Sequence, residues 1–265
     1  MPKFALVVEY LGTNYAGSQI QPDKVTIQSE LEKALSTLII GGRGCRDIES
    51  TPQNRLIKTV FSGRTDAGVH AKGQVVHFET DKPIVASRFV NSLNGLLPPD
   101  ISVKSVKPVD DNFHAQMSAM YRVYQYKIVN RRQRSAWDSN SLLVREPLSI
   151  KRMNEALTYL IGEHDFTSFK SVRTDNPAKY CNVYKAECTK DGDIITFEIV
   201  ANRFLYNMVR TIVGTLLLLE HNKLQPEFMK DVLEAKDRAK AGQTISPVGL
   251  SLVEVGYEPY RQINY

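Results

Sequence analysis

Asp66 is the residue of this chain whose setting most favours covalent or acid–base chemistry. It lies two positions from Arg64 in a short run, Gly-Arg-Thr-Asp-Ala-Gly, between the apolar stretches 56–61 and 74–78. Both stretches have the composition of β-strands, which predicts a polar loop held between two strands. An ionised carboxylate beside a guanidinium has a lowered pKa and stays available as a nucleophile or a base. The alternative is an ordinary turn with a surface ion pair.

A second candidate lies in the stretch 120–129, which is predicted to be a long strand. Its period of two places Arg122, Tyr124 and Tyr126 on one face. A tyrosine on a sheet face beside a cleft can stack on an RNA base and donate its hydroxyl. The alternative is core or cross-strand packing, which we favour for Tyr126.

Arg210 is the third candidate, because it interrupts the largely apolar stretch 205–219, which is predicted to be a helix. A cation in such a place is unfavourable unless it is paired. Its partner could be a carboxylate such as Asp66, or a phosphate. An unrelated acidic residue with a structural role is the alternative.

Several classes of cofactor have no support in the sequence. None of the five histidines pairs with a second histidine or a cysteine at metal-ligand spacing, so we expect no metal. The three cysteines include no C-x-x-C pair, which argues against a disulfide framework and a structural zinc site and favours a reducing compartment. Neither a P-loop nor a strand-linked G-x-G-x-x-G motif is present, so no nucleotide cofactor is expected.

The composition is that of a soluble, folded protein, and the basic charge fits a polyanionic partner, although proteins that bind no polyanion also carry a mild excess of this kind. The 265 residues are 42% hydrophobic and 24% charged, and the formal net charge is +5. The amino-terminal residues carry no signal-peptide pattern, and the longest apolar stretch, 208–219, is too short for a bilayer. We therefore expect a cytoplasmic protein without a membrane span. The basic cluster 131–134 could bind phosphates or form a solvated surface turn.

The order of predicted elements indicates an α+β fold with largely antiparallel sheets. Strand and helix patterns alternate in both halves, and Lys190-Asp191-Gly192-Asp193 reads as a hairpin turn between two strands. Thr26 is predicted to cap an amphipathic helix, and the Gly-rich stretch 41–54 is predicted to be a surface loop. We expect two mixed α/β halves, residues 1–108 with the Asp66 loop and residues 109–265 with Tyr124 and Arg210.

Taken together, these segments resemble the tRNA pseudouridine synthase A family over nearly the whole chain. Four motifs occur in order at suitable spacing. They are Phe61 to Ala71, Phe113-His114-Ala115 with Arg122 to Tyr126, Asp165 to Phe169, and Asn202 to Leu205 with Met208 to Gly214.

The resemblance implies a role for each candidate. Asp66 matches the family's essential aspartate, and Arg210 matches the arginine that pairs with it. Arg64 matches the arginine that helps to hold the place of the flipped nucleotide, and Tyr124 matches the tyrosine that packs on the target uracil. It also implies the pseudouridine synthase fold, with the two halves meeting at a central cleft. Members of the family use no metal and no organic cofactor, act as homodimers, and isomerise uridines 38, 39 and 40 in the tRNA anticodon stem-loop.

The first loop departs from the pattern of the family, and the sequence leaves two alternative functions open. Members commonly carry Gly-Trp-Gln in the first loop, where this chain has Gly17-Ser18-Gln19. An RNA-binding protein without catalysis could use Tyr124 and the basic surface alone, although such a protein has no need for a carboxylate facing a polyanion. A pseudouridine synthase acting on a different RNA is the other alternative.

Overall fold

The computed structural model describes residues 1–41, 56–172 and 177–261. They form ten strands: β1 (Lys3–Tyr10), β2 (Thr59–Phe61), β3 (His70–Glu79), β4 (Ile101–Val109), β5 (Tyr121–Asn130), β6 (Leu142–Val144), β7 (Gly162–Asp165), β8 (Tyr180–Asp191), β9 (Ile194–Ala201) and β10 (Leu250–Gly256). The same residues form five α-helices: α1 (Ile27–Ile39), α2 (Ala86–Asn94), α3 (Ile150–Leu157), α4 (Met208–His221) and α5 (Phe228–Ala235).

The chain divides into two compact units, one of Met1–Ala119 with Leu252–Tyr257, the other of Met120–Ser251 with the segment from Glu258 onward. In the first unit the strand order is β4-β1-β3-β10, and β2 also pairs with β3. β1 is antiparallel to both β3 and β4, and Leu6 lies opposite Val76 and Val106. All three of these side chains are buried, so this register places one face of the sheet in a core.

Helix α1 forms where the sequence predicts it, for the predicted reason. The hydroxyl of Thr26 accepts a hydrogen bond from the N–H of Ser29 at 3.1 Å, and the hydroxyl of Ser29 accepts one from the N–H of Thr26 at 2.9 Å. This reciprocal capping satisfies two N–H groups that lack intrahelical partners. Ile27, Leu31 and Leu35 are buried, as their spacing of four residues predicts.

The second unit contains an antiparallel sheet of order β5-β9-β8-β7, with the short strand β6 parallel to β5. Strands β8 and β9 form the predicted hairpin, and Gly192 at its turn has a φ of +54°, where L side chains are strained. Helices α3, α4 and α5 pack together in this unit, and α3 also packs on β8. Met153, Phe197, Ile212 and Leu216 are among its fully buried side chains.

The predicted α+β class and the largely antiparallel sheets are confirmed. The division at residues 108 and 109 and the cleft between the halves stay predictions. The predicted strand at 56–61 is shorter, since only β2 is extended, and the predicted 41–54 loop lies, after Gly41, outside the described residues. No helix among the described residues is both long and apolar enough to cross a membrane.

His77 is buried in β3 and connects the 113–115 segment to the first sheet. Its Nδ1 accepts the N–H of Ala115 at 3.1 Å, and its ring meets those of Phe113 and His114 edge-on at 6.1 Å and 5.2 Å. Burial, and after it the nearby His114 and Lys3, lower the pKa of His77 to about 4. The ring is therefore neutral and an acceptor at neutral pH.

We expect the stability of this protein to fall in acid through His77. With a pKa near 6.5 in the unfolded chain and about 4 in the folded one, protons bind the unfolded state preferentially as the pH falls from 6.5 towards 4. The His77→Asn variant keeps a side-chain acceptor but cannot titrate. Between pH 7.5 and pH 4.5, its free energy of unfolding should therefore fall by roughly 2–3 kcal/mol less than that of the wild type. Urea unfolding at both pH values measures this, and equal losses in the two proteins would contradict it.

Candidate active site

The Asp66 loop, residues 62–69, connects the antiparallel strands β2 and β3. The N–H of Ser62 donates to the carbonyl of Val75 at 2.8 Å, which extends the strand pairing into the start of the loop. At the other end the N–H of Val69 donates to the carbonyl of Asp66 at 3.1 Å and closes a turn. Gly68 in this turn has a φ of +77°, which glycine adopts without strain.

The side chain of Gln74, which is fully buried in β3, forms hydrogen bonds to the first half of this loop. Its Oε1 accepts the hydroxyl of Ser62 at 2.6 Å, and its Nε2 donates to the carbonyl of Gly63 at 2.9 Å and to the Tyr10 hydroxyl at 3.4 Å. The Tyr10 hydroxyl in turn lies 2.8 Å from the Thr65 hydroxyl. Burial raises the pKa of Tyr10 to about 12, so the Tyr10 hydroxyl stays protonated at neutral pH.

Ser18 holds the residue that directly precedes Asp66. Its hydroxyl accepts the N–H of Thr65 at 2.8 Å and lies 3.4 Å from the Thr65 carbonyl, which also accepts the N–H of Ser18 at 3.0 Å. Both residues are buried. A Cβ on Gly17, whose φ is +109°, would lie 2.9 Å from the Thr65 carbonyl oxygen, so only glycine allows this approach.

The 17–18 segment is itself attached to the start of α1. The carbonyls of Gly17 and Ser18 accept the N–H groups of Ile27 at 3.2 Å and Gln28 at 3.0 Å. One turn further along α1, the buried carboxylate of Glu32 accepts both the N–H and the hydroxyl of Thr59 in β2, at 2.9 Å and 3.0 Å. Helix α1 therefore positions both the loop and the strand that leads into it.

The side chains of Asp66 and Arg64 differ in their exposure to solvent. Asp66 is half-buried and Arg64 is exposed, whereas Thr65 between them is buried. A half-buried carboxylate on a fixed loop is accessible to a substrate and can act as a nucleophile or a base. The predicted ion pair between Asp66 and Arg64 stays a prediction.

Tyr124 and Arg210 both belong to the second unit. Tyr124 lies on β5, on the face predicted, and its ring meets that of Phe204 edge-on at 4.9 Å. It is 9% exposed. Phe204 belongs to a segment singled out in the sequence, but no role was predicted for it. Tyr126 on the same face is fully buried core, as we favoured, and its hydroxyl donates to the carbonyl of Ser246 at 2.7 Å.

Arg210 on α4 is oriented by polar contacts to its guanidinium. Its Nε donates to the carbonyl of Ile245 at 2.7 Å, and its Nη1 donates to the side-chain oxygen of Asn207 at 3.0 Å. Gly214 lets the 242–245 segment approach α4, because a Cβ there would lie 1.9 Å from the carbonyl oxygen of Gln243. The predicted helix began at 205, but α4 begins after Asn207, whose φ of +65° is incompatible with a continuous helix.

The structure thus places Asp66 and Arg64 on one loop of the first unit and Tyr124 and Arg210 in the second; the pairing of Arg210 with Asp66 stays a prediction. Sequence reasoning missed the residues that hold the loop, Tyr10, Ser18 and Gln74. The only signal was Ser18, where the chain departs from the family's tryptophan. In the described part of the chain, no group of three or more His, Cys, Asp or Glu side chains could hold a metal ion.

Comparison with known proteins agrees with the motifs. The family model described as tRNA pseudouridine synthase matches residues 6–117 and 156–258, well over half of the chain. The chain is 41% identical over 259 residues to tRNA pseudouridine synthase A of an Exiguobacterium species, covering 97% of this chain and 99% of that protein. The enzyme of the same name from Anoxybacillus flavithermus is 40% identical, over 97% of this chain and all of that protein. That of Francisella tularensis subsp. novicida is 39% identical, over 98% of this chain and 96% of that protein. With this agreement over nearly its full length, the chain belongs to the tRNA pseudouridine synthase family.

Proposed function

We propose that this protein isomerises uridine to pseudouridine in tRNA, at positions 38, 39 and 40 of the anticodon stem-loop. Its membership of the family and the names of its relatives support the reaction and the class of substrate. The observation that carries the proposal is the half-buried Asp66, which follows a residue whose backbone N–H and carbonyl are both held by buried Ser18.

The proposed reaction breaks the N1–C1′ bond of uridine, turns the ring and joins C5 to C1′. N1 gains a proton and C5 loses one, and the reaction includes no redox or phosphoryl-transfer step, so it requires no redox cofactor. We propose Asp66 as the catalytic nucleophile, whose transient bond to the substrate is broken again before the product leaves. It acts after the target nucleotide leaves the helical stack, at a cost of a few kcal/mol. A carboxylate on a fixed loop loses little entropy on reaching the attacking geometry.

Three other side chains have proposed roles. Tyr124 packs on the extruded uracil and recovers part of the unstacking energy. Arg210 pairs with Asp66 and keeps its carboxylate ionised. Exposed Arg64 helps to hold the place that the flipped nucleotide leaves. We further propose that the protein acts as a cytoplasmic homodimer, which sedimentation velocity would distinguish from a monomer of 29.9 kDa.

Asp66→Ala should abolish isomerisation while leaving the fold and tRNA binding intact. The assay incubates wild-type and variant proteins with unmodified tRNA transcripts in a chelator and maps the modified uridines. Wild-type activity with chelator present would support the proposed absence of a metal. A variant rate near that of the wild type would remove Asp66 from the mechanism.

The same assay separates the alternatives. A non-catalytic RNA-binding protein would bind the transcripts and modify none of them. Modification of another RNA, with uridines 38, 39 and 40 left unmodified in this assay but still modified in cells that lack the protein, would support a different substrate for the same chemistry.

Ser18→Ala should lower kcat through the position of Asp66, with little change in KM for tRNA. The change leaves the buried N–H of Thr65 without its acceptor, which destabilises by about 1–3 kcal/mol. Ser36→Ala is a matched control, because the Ser36 hydroxyl is also buried and accepts a backbone N–H, that of Ile57, at 2.8 Å.

Both variants should lose similar free energy of unfolding, but only Ser18→Ala should lose kcat, by about 10-fold or more, since small displacements of a catalytic group are this costly. Ser18→Thr retains a hydroxyl and should recover part of the rate. Equal kcat values for the Ser18→Ala and Ser36→Ala variants would contradict a positioning role for Ser18.

Tyr124 offers a separate test of the stacking role. Tyr124→Phe keeps the ring and its contact with Phe204, so binding of substrate should be retained if stacking dominates. Tyr124→Ala removes roughly 1–3 kcal/mol of base stacking, which should appear in kcat/KM. If Tyr124→Phe were as inactive as Tyr124→Ala, the hydroxyl rather than the ring face would be the important group.

A further inference from the structure

Trp137 is the most exposed large apolar side chain in the described part of the chain, at 97% exposure. It lies in the segment 131–141, which connects β5 to β6. The chain contains no other tryptophan. Single exposed apolar side chains are common on protein surfaces, so a function for Trp137 has to be argued from the other residues of its segment.

The segment around Trp137 is held in a defined shape by its own polar contacts. The guanidinium of Arg131 donates to the carbonyls of Gln133 at 3.0 Å and Arg134 at 3.3 Å, and pairs with Asp193 at 3.2 Å. A second contact encloses Trp137 directly, because the Ser135 hydroxyl donates to the Asp138 carboxylate at 2.6 Å and accepts the N–H of Asp138 at 3.1 Å.

Two further arginines of the same segment are exposed to solvent. Arg132 and Arg134 are exposed, and neither forms an ion pair with a residue of the described ranges 1–41, 56–172 and 177–261. Of the three arginines, Arg131 therefore shapes the segment, while Arg132 and Arg134 present charge to solvent from the same segment as the exposed Trp137.

We propose that Arg132, Arg134 and Trp137 form an RNA-binding surface that stacks the indole on an unpaired base and contacts flanking phosphates. Aromatic faces stack on any unpaired base, and guanidinium groups bind phosphate oxygens. The inference rests on the proposed function only for the identity of the RNA as tRNA, whose loops offer unpaired bases.

The charges favour RNA over a second copy of this chain. In a two-fold contact centred on Trp137, Arg132 and Arg134 of each copy would face Arg132 and Arg134 of the other copy. These like charges would repel each other. The sequence around the indole, Arg-Gln-Arg-Ser-Ala-Trp-Asp-Ser-Asn, is otherwise polar, whereas the core of a stable protein interface is apolar.

Because Trp137 is the chain's one tryptophan, its fluorescence reports on this surface alone. Titration with an unmodified tRNA transcript should quench the emission and saturate at the Kd found independently by filter binding. Unchanged emission at saturating tRNA would overturn the proposal. A blue shift that grows with protein concentration without RNA would also overturn it, because the ring would then be buried against another copy.

Substitution of Trp137 separates stacking from a coincidental change in emission. Trp137→Ala should weaken tRNA binding about 5- to 150-fold, the range expected for loss of one stacked base, and Trp137→Phe should keep most of the affinity. Val85→Ala, at a 61% exposed apolar position of the first unit, is the matched control and should bind as the wild type does. Wild-type affinity in Trp137→Ala would overturn the proposal.

The salt dependence of binding tests the arginines. Arg132→Gln should reduce the slope of log Kd against log salt by about 0.7–0.9, the loss of one phosphate contact. Arg88→Gln removes the same charge from an exposed position on α2 and should leave the slope unchanged. If both variants changed the slope equally, the effect would be one of net charge and the proposed surface would be wrong.

The outcomes also separate this proposal from the proposed function. Quenching by tRNA without pseudouridine formation would support the surface and contradict the enzymatic function. Pseudouridine formation with no change in Trp137 emission would support the enzyme and contradict the surface.

Discussion

The hydrogen bonds between Ser18 and the backbone of Thr65 are the interaction on which the candidate active site depends. Thr65 directly precedes Asp66, and its N–H and carbonyl both have partners in the buried 17–18 segment. Each such group left unpaired away from water would cost about 1–3 kcal/mol, so the loop cannot move without a large penalty. The carboxylate projects from a backbone that the core holds in place.

Hydrogen bonds to the backbone also orient Arg210 in the second unit. The guanidinium of Arg210 is oriented by the carbonyl of Ile245, and α4 approaches that segment closely because Gly214 has no side chain. Asp66 and Arg210 are both only partly buried. Hydrogen bonds therefore fix the backbone before Asp66 and the guanidinium of Arg210 while both side chains stay partly accessible, as the proposed reaction requires.

The accuracy of the sequence predictions followed the range of the interactions involved. Thr26 and Ser29 cap α1 through neighbours three residues apart, and Tyr126 is buried by a period of two along one strand, so both were readable. Ser18 and Gln74 act on residues 47 and 11–12 positions away, which no local pattern reveals. The short strands β6 and β7 escaped prediction for a different reason, because a stretch of three or four residues carries little periodicity.

The sequence by itself determined the family, the α+β class and the residue types able to do the chemistry, because motifs and periodicity are local in the chain. Only the tertiary structure decided that Ser18 holds the Asp66 loop, that Arg131 shapes its segment while Arg132 and Arg134 face solvent, and that Trp137 is left almost fully exposed. Burial and hydrogen-bond partners depend on which distant segments meet in space, and sequence spacing carries no record of that.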